Sequence, residues 1–314
     1  LKLPPEFISN IQNTFQEGGY AFLRTLPASI AEASARWRLT NIQPSPTLSY
    51  NFVAFANRGS EQVVLKMGVP NPEFKSEMAA LRLFNGEGAC HLLESDEEKY
   101  WMLLERLRPG LMLATLADDE EATEIAAEVM QKIWRPLESG DMLIDLQSQV
   151  VGLQSFIKLS DWFSGVKRLR ARFNGGTGPL PERLVDRVER SVQDFFVESH
   201  RPVLMHGDFH HFNVLSSERG WLIIDPKGVT GPACYEAGPL LSNPWVDLSS
   251  GADYRRMTRH RIDILHERLG FERERIREWG VAHAILSAWW GIEDNTGWEY
   301  ALAFAEMVAE LPVK

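Results

Sequence analysis

Three oxygen-bearing side chains stand beside short apolar runs. Asp208 and Asn213 lie in His206-Gly207-Asp208-Phe209-His210-His211-Phe212-Asn213, and Asp225 ends Trp221-Leu222-Ile223-Ile224-Asp225. Val203-Leu204-Met205 leads into the first segment and Val214-Leu215 leaves it. Asp208 and Asn213 are therefore expected in a tight loop between two short strands, with Asp225 closing a third before the turn at Pro226. Two carboxylates and an amide at neighbouring strand ends suit phosphoryl transfer from a nucleotide. That chemistry needs a carboxylate to orient the attacking hydroxyl and accept its proton. It also needs an amide oxygen and a second carboxylate to hold hard cations on the phosphates. Asp208 is the expected base, and Asn213 and Asp225 are the expected Mg2+ ligands. Two protein ligands suffice because Mg2+ keeps several waters. Polar residues in an ordinary hairpin turn are the alternative.

A second pair belongs to the other half of the chain. Lys66 ends the strand Val63-Val64-Leu65-Lys66, and Glu77 follows on a helix that opens near Pro72. Phe74, Leu81 and Phe84 share a helical face with Glu77, which turns its carboxylate inward among apolar neighbours. A lone carboxylate there would be costly, and Lys66 is its natural partner. Two unrelated surface charges are the alternative.

The elements that position these groups divide the 314 residues in two. That length exceeds what one hydrophobic core usually serves. Residues 1–105 read as two N-terminal helices, broken at Gly18-Gly19 and reopened at Pro27, followed by a small antiparallel sheet with one helix. Residues 106–110, Arg-Leu-Arg-Pro-Gly, read as a connector. Residues 111–314 read as mainly helical, with one strand-rich interruption at Pro202 to Asp225. The fold class is thus α+β, with a sheet-bearing N-terminal lobe and a helical C-terminal lobe.

Composition bounds the partners. The apolar fraction of 44% is that of a globular enzyme, and the net charge of −10 argues against a nucleic-acid protein. No apolar run has the length of a membrane span. The two cysteines, Cys90 and Cys234, make no disulfide framework, so a cytoplasmic protein is expected; oligomeric state is not legible.

The order Val63-Val64-Leu65-Lys66, Leu103-Leu104-Glu105-Arg106-Leu107-Arg108-Pro109-Gly110, His206 to Leu215 and Ile224-Asp225-Pro226-Lys227-Gly228 resembles the aminoglycoside/hydroxyurea antibiotic resistance kinases of the aminoglycoside phosphotransferase and kinase superfamily. Streptomycin 6-phosphotransferases are well-known members. The resemblance implies a bilobal protein-kinase-like fold, ATP or GTP with Mg2+, and a role in resistance. It implies that Lys66 grips the α- and β-phosphates, and that Glu105 and Leu107 meet the adenine through a backbone carbonyl and amide. No G-x-G-x-x-G precedes Lys66, so the phosphate loop is expected to rely on Ser45, Thr47, Ser49 and Asn51.

A small cationic or polyhydroxy substrate is expected on the C-terminal lobe, which holds 31 acidic against 23 basic residues from Arg108 on. Asp247, Trp245, Glu236 and Asp294 are candidate wall residues, since carboxylates and indoles suit guanidinium groups such as the two of streptomycin. Lys227 is a candidate for neutralising the transferring phosphoryl group, and a lysine solvated in a turn is equally open. Trp289 is expected in the core, His206 as a brace of the loop, and His210 and His211 in structural or substrate-rim roles. The competing functions are a metabolite kinase of the fructosamine, choline or homoserine type, and a non-catalytic nucleotide-binding module.

Overall fold

The computed structural model describes residues 2–137, 142–144, 150–152, 156–198, 202–244 and 251–313. The chain starts with α1 (Pro5–Trp37), whose backbone leaves the helical region at Gln16 (φ 47°, ψ −121°) and continues helical through Pro27. The expected break at Gly18-Gly19 thus falls earlier, and Pro27 opens no new helix. Gly19 serves a different need: a Cβ there would lie 2.2 Å from the Ile11 carbonyl oxygen, so only glycine lets the two segments approach.

The strands β1 (Leu39–Pro44), β2 (Phe52–Arg58) and β3 (Glu61–Met67), the helix α2 (Pro72–Phe84), and the strands β4 (Leu92–Asp96) and β5 (Trp101–Glu105) follow. The strands form an antiparallel sheet in the order β1-β2-β3-β5-β4. Side-chain alternation divides it between two cores. Phe52, Ala54, Val63, Leu65 and Leu103 pack with Phe7, Ile11 and Leu26 of α1. Met102 and Leu104 turn to the other face, where Phe74, Met78 and Leu81 of α2 join the main core. Asn71 caps α2 by accepting the Phe74 N–H at 2.9 Å, and Pro72 takes the first helical position.

Beyond this sheet come β6 (Pro109–Met112), α3 (Asp119–Ile133), β7 (Arg135–Pro136), β8 (Met142–Ile144), β9 (Val150–Gly152), β10 (Ile157–Lys158), α4 (Leu159–Arg172) and α5 (Glu182–Glu198). They lead to β11 (Val203–Met205), β12 (Val214–Ser217), β13 (Gly220–Ile223), β14 (Val229–Gly231), α6 (Ala237–Leu241), α7 (Gly251–Leu269), α8 (Arg273–Glu293) and α9 (Glu299–Ala309). The expected strand interruption is larger than one hairpin. β12 pairs with β13 and with β6, so part of the expected connector is strand. β11 lies between β14 and β7. Trp279, Ile285, Leu286 and Trp289 of α8 are all buried, making α8 the central helix of this part. Arg261, 1% exposed, ties α7 to α3 through both Asp119 oxygens at 3.0 Å and to the Leu240 and Asn243 carbonyls. Among the described residues no helix is long and apolar enough to cross a membrane.

One seam joins α2 to the C-terminal part. The Ser76 hydroxyl donates to the Gly228 carbonyl at 2.6 Å. Gly228 has φ 63°, and a Cβ there would lie 2.5 Å from the Ser76 carbonyl oxygen. Gly228→Ala is therefore expected to destabilise the chain by roughly 1–3 kcal/mol through strain and overpacking. Urea denaturation checks this; an unchanged midpoint would show that the seam yields freely.

Candidate active site

The pairing of Lys66 with Glu77 is realised, and it extends further than the spacing implied. Lys66 Nζ donates to both Glu77 oxygens at 2.6 and 2.7 Å, and the two side chains are 5% exposed. The same ammonium also meets Asp225 Oδ1, which the C-terminal half of the chain supplies. β3 pairs with β2 and β5 along its length, which fixes Lys66, while the Asn71 cap and the α2 core fix Glu77. Burial alone would lower the Lys66 pKa, but Asp225 and Glu77 outweigh it and hold the ammonium above the ordinary lysine value. Burial raises Glu77, against the pull of Lys66. Asp225 runs the other way: burial opposes its charge, yet Lys227 and Lys66 keep it well below the usual carboxylate range.

The loop between β11 and β12 carries Asp208 and Asn213. Its entry needs Gly207 (φ 88°), where a Cβ would lie 2.5 Å from the Val229 side chain. His206 braces the loop as expected. Its Nε2 donates to the Ile224 carbonyl at 2.9 Å, and its Nδ1 accepts the Asp208 N–H at 3.1 Å. That tautomer is neutral, in keeping with burial pushing the imidazole down to about 4. Asn213 Nδ2 donates to the Asp208 carbonyl at 3.1 Å. Its Oδ1 has no protein donor among the described residues.

Asp208 exposes 37% of its side chain to solvent, and His210 Nε2 lies 3.6 Å from its Oδ2. Burial opposes the Asp208 charge, but His210 and then Lys227 hold its carboxyl far below the usual range. Lys227 Nζ donates to Asp225 Oδ2 at 3.1 Å, and the electrostatic pull of Asp208 on it puts this residue at the same site. The structure thus brings together Lys66, Glu77, Asp208, Asn213, Asp225 and Lys227, drawn from both halves of the chain.

Other expected residues stand differently. Glu236 is corrected: it is fully buried and forms no substrate wall. Its two oxygens accept the His206 and Gly207 N–H groups at 3.2 and 2.8 Å, so it fastens the loop from beneath. Burial pushes its carboxyl up to about 8. Asp294 caps the C-terminal end of α8 and lies exposed. Trp245 and Asp247 fall outside the described residues. Glu105 spends its N–H on the His91 carbonyl, and its carboxylate pairs with Arg219; Leu107 is buried in the main core. Trp289 is in the core, 1% exposed. His211 is buried with neither ring nitrogen partnered, and burial followed by Arg261 pushes it down to about 2, so it stays neutral. Sequence reasoning missed Glu73. Its carboxylate is raised by burial and shares the field of Lys227, Asp225, Asp208 and Asp294. The signal was its place four residues before Glu77, one turn back on the same helix face.

Comparison with known proteins places the chain among phosphotransferases of known family. A family model for the aminoglycoside/hydroxyurea antibiotic resistance kinases matches residues 36–295. The streptomycin 6-kinase of Streptomyces glaucescens is 29% identical over 311 residues, covering 94% of this chain and 92% of that protein. The hydroxyurea phosphotransferase of Kitasatospora aureofaciens is 27% identical over 323 residues, covering 99% of this chain and 86% of that protein. Among solved structures, a thermostable mutant of the aminoglycoside phosphotransferase APH(4)-Ia in ternary complex with ADP and hygromycin B superposes with a TM-score of 0.61. It is 12% identical, and the match covers 89% of this chain and 97% of that one, a likeness of fold. The α+β kinase-like fold expected from the sequence is the one observed.

Glu236 generates a pH prediction. Its carboxyl titrates near 8 when folded and near 4.5 when unfolded. The unfolded chain loses this proton first as pH rises. The stability this group contributes is therefore full below about 4.5 and is lost between there and about 8. Glu236→Gln removes that slope. Denaturation at pH 5 and pH 8 should show the stability of wild type relative to the variant falling by about 2–4 kcal/mol. An equal difference at both pH values would contradict the assignment.

Proposed function

The chain belongs to the aminoglycoside/hydroxyurea antibiotic resistance kinase family, and on that premise we propose that it transfers the γ-phosphoryl group of ATP to a hydroxyl of a streptomycin-like aminoglycoside, conferring resistance. The observation that carries this reading is the buried Lys66 ammonium shared by Glu77 and Asp225, beside the loop that presents Asp208 and Asn213. In this reading Glu77 orients Lys66 toward the α- and β-phosphates, and backbone groups of Glu105 and Leu107 receive the adenine.

Asn213 and Asp225 fit a divalent cation. They offer oxygen alone, as hard Mg2+ requires, and Asn213 commits its amide nitrogen to the Asp208 carbonyl, which leaves its oxygen free for the ion. Bound there, Mg2+ would neutralise charge on the phosphates. Asp208 takes the proton of the acceptor hydroxyl as that oxygen bonds to the γ-phosphorus. The bond from phosphorus to the bridging oxygen breaks, and the nucleoside diphosphate leaves with its electron pair. Positioning and charge stabilisation carry the rate, with no covalent enzyme intermediate. Glu73 at the start of α2 lies in the field of Asp208 and Asp294, and such a group of carboxylates suits a cationic acceptor.

Two outcomes are expected in an assay of nucleoside diphosphate release. With ATP and GTP offered against streptomycin, other aminoglycosides, hydroxyurea, choline and a fructosamine, release should depend on streptomycin and ATP. Turnover of choline or the fructosamine alone would overturn the substrate, and nucleotide binding without turnover of any acceptor would overturn the enzyme reading. Asp208→Asn should lose at least ~100-fold in kcat while nucleotide binding, followed by calorimetry, persists. Lys66→Met should lose ~100-fold or more in kcat/KM for the nucleotide.

A further inference from the structure

Asp225 is held by two ammonium groups, and among the described residues only one of them, Lys66, also hydrogen-bonds a second carboxylate. Lys66 Nζ already touches both Glu77 oxygens, so it can release Asp225 Oδ1 and remain paired. Lys227 Nζ has Asp225 Oδ2, at 3.1 Å, as its one hydrogen-bonded acceptor among the described residues. Its backbone is pinned on both sides. The Lys227 N–H donates to the His206 carbonyl at 2.7 Å, and Gly228 is locked against Ser76. Asp208 of the β11–β12 loop and Glu77 and Glu73 of α2 face the same ammonium.

In a kinase site that uses two divalent cations, the aspartate at the position of Asp225 and the loop asparagine share the work of holding both. Here the oxygen that a second cation would need is already engaged. We propose that Lys227 takes the place of a second divalent cation. Asp225 keeps Oδ2 on Lys227 and offers Oδ1, with Asn213, to a single Mg2+, while the ammonium meets the γ-phosphoryl oxygens beside Asp208. This rests on the phosphotransferase reading above and makes Lys227 a catalytic residue. The proton inventory of the transfer is unchanged, because Lys227 stays protonated and Asp208 takes the hydroxyl proton.

The test counts metal ions on the full chain. Wild type, Lys227→Ala and Lys227→Met are each loaded with a non-hydrolysable ATP analogue and titrated with Mn2+, the free ion being read by electron paramagnetic resonance. One bound Mn2+ in wild type and two in Lys227→Ala are expected. The methionine variant, which keeps the stem and loses the charge, supplies the same reading if the alanine variant does not fold. In parallel, kcat of the variants should fall ~100-fold or more at low Mg2+ and recover at least ~10-fold at high Mg2+, with KM for the nucleotide little changed. Two Mn2+ in wild type, or one in wild type and folded variants alike, would overturn the inference alone. A wild-type chain that binds no nucleotide would overturn the phosphotransferase reading, and this inference with it.

Discussion

One buried ammonium has to satisfy carboxylates from opposite halves of the chain. Lys66 lies between the buried Glu77 of α2 and the partly exposed Asp225 beyond β13. Taking such charges out of water costs several kcal/mol per ion, and only close geometry with every partner offsets it. The surrounding fold supplies that geometry. α1 covers one face of the sheet that carries Lys66, the Asn71 cap starts α2 in the right place, and Ser76 fastens α2 to the turn after Asp225.

The same sharing explains an uneven distribution of charge. Glu77 touches a lysine through both oxygens and still has its carboxyl pushed up to about 7 by burial. Asp225, with the same lysine and Lys227 as well, is held far lower. Negative charge is thus favoured at Asp225 and Asp208, on the side of the β11–β12 loop, while burial works against it at Glu77 on the α2 side.

Much of this was legible in the sequence because it is local. The loop from His206 to Asn213, the strand ending at Asp225 and the helical face of Glu77 each declare themselves within about one element. What was illegible depends on contacts between distant segments. β1 shows little alternation and pairs irregularly between Thr40 and Gln43, so it left no period to find. Gly19 looked like a helix break, but it answers to the Ile11 carbonyl across the kink. Glu236 looked like a carboxylate for a cationic ligand. Its actual partners, two backbone N–H groups at the mouth of the loop, leave no trace in side-chain patterns. The extra pairing of Lys66 with Asp225 spans 159 positions and could only be seen folded.

The Ser76–Gly228 hydrogen bond has a bearing on control. In a kinase whose glutamate-bearing helix can rotate outward, an idle posture lies close in energy and a regulator can select it. Here that helix is bolted to the very turn that bears Lys227, with a glycine shaped to admit no gap. Swinging it away would sever the bolt, part Glu77 from Lys66 and open a packed surface together. The position of Glu77 is therefore tied to that of the turn bearing Lys227, so a shift of either is felt by the other.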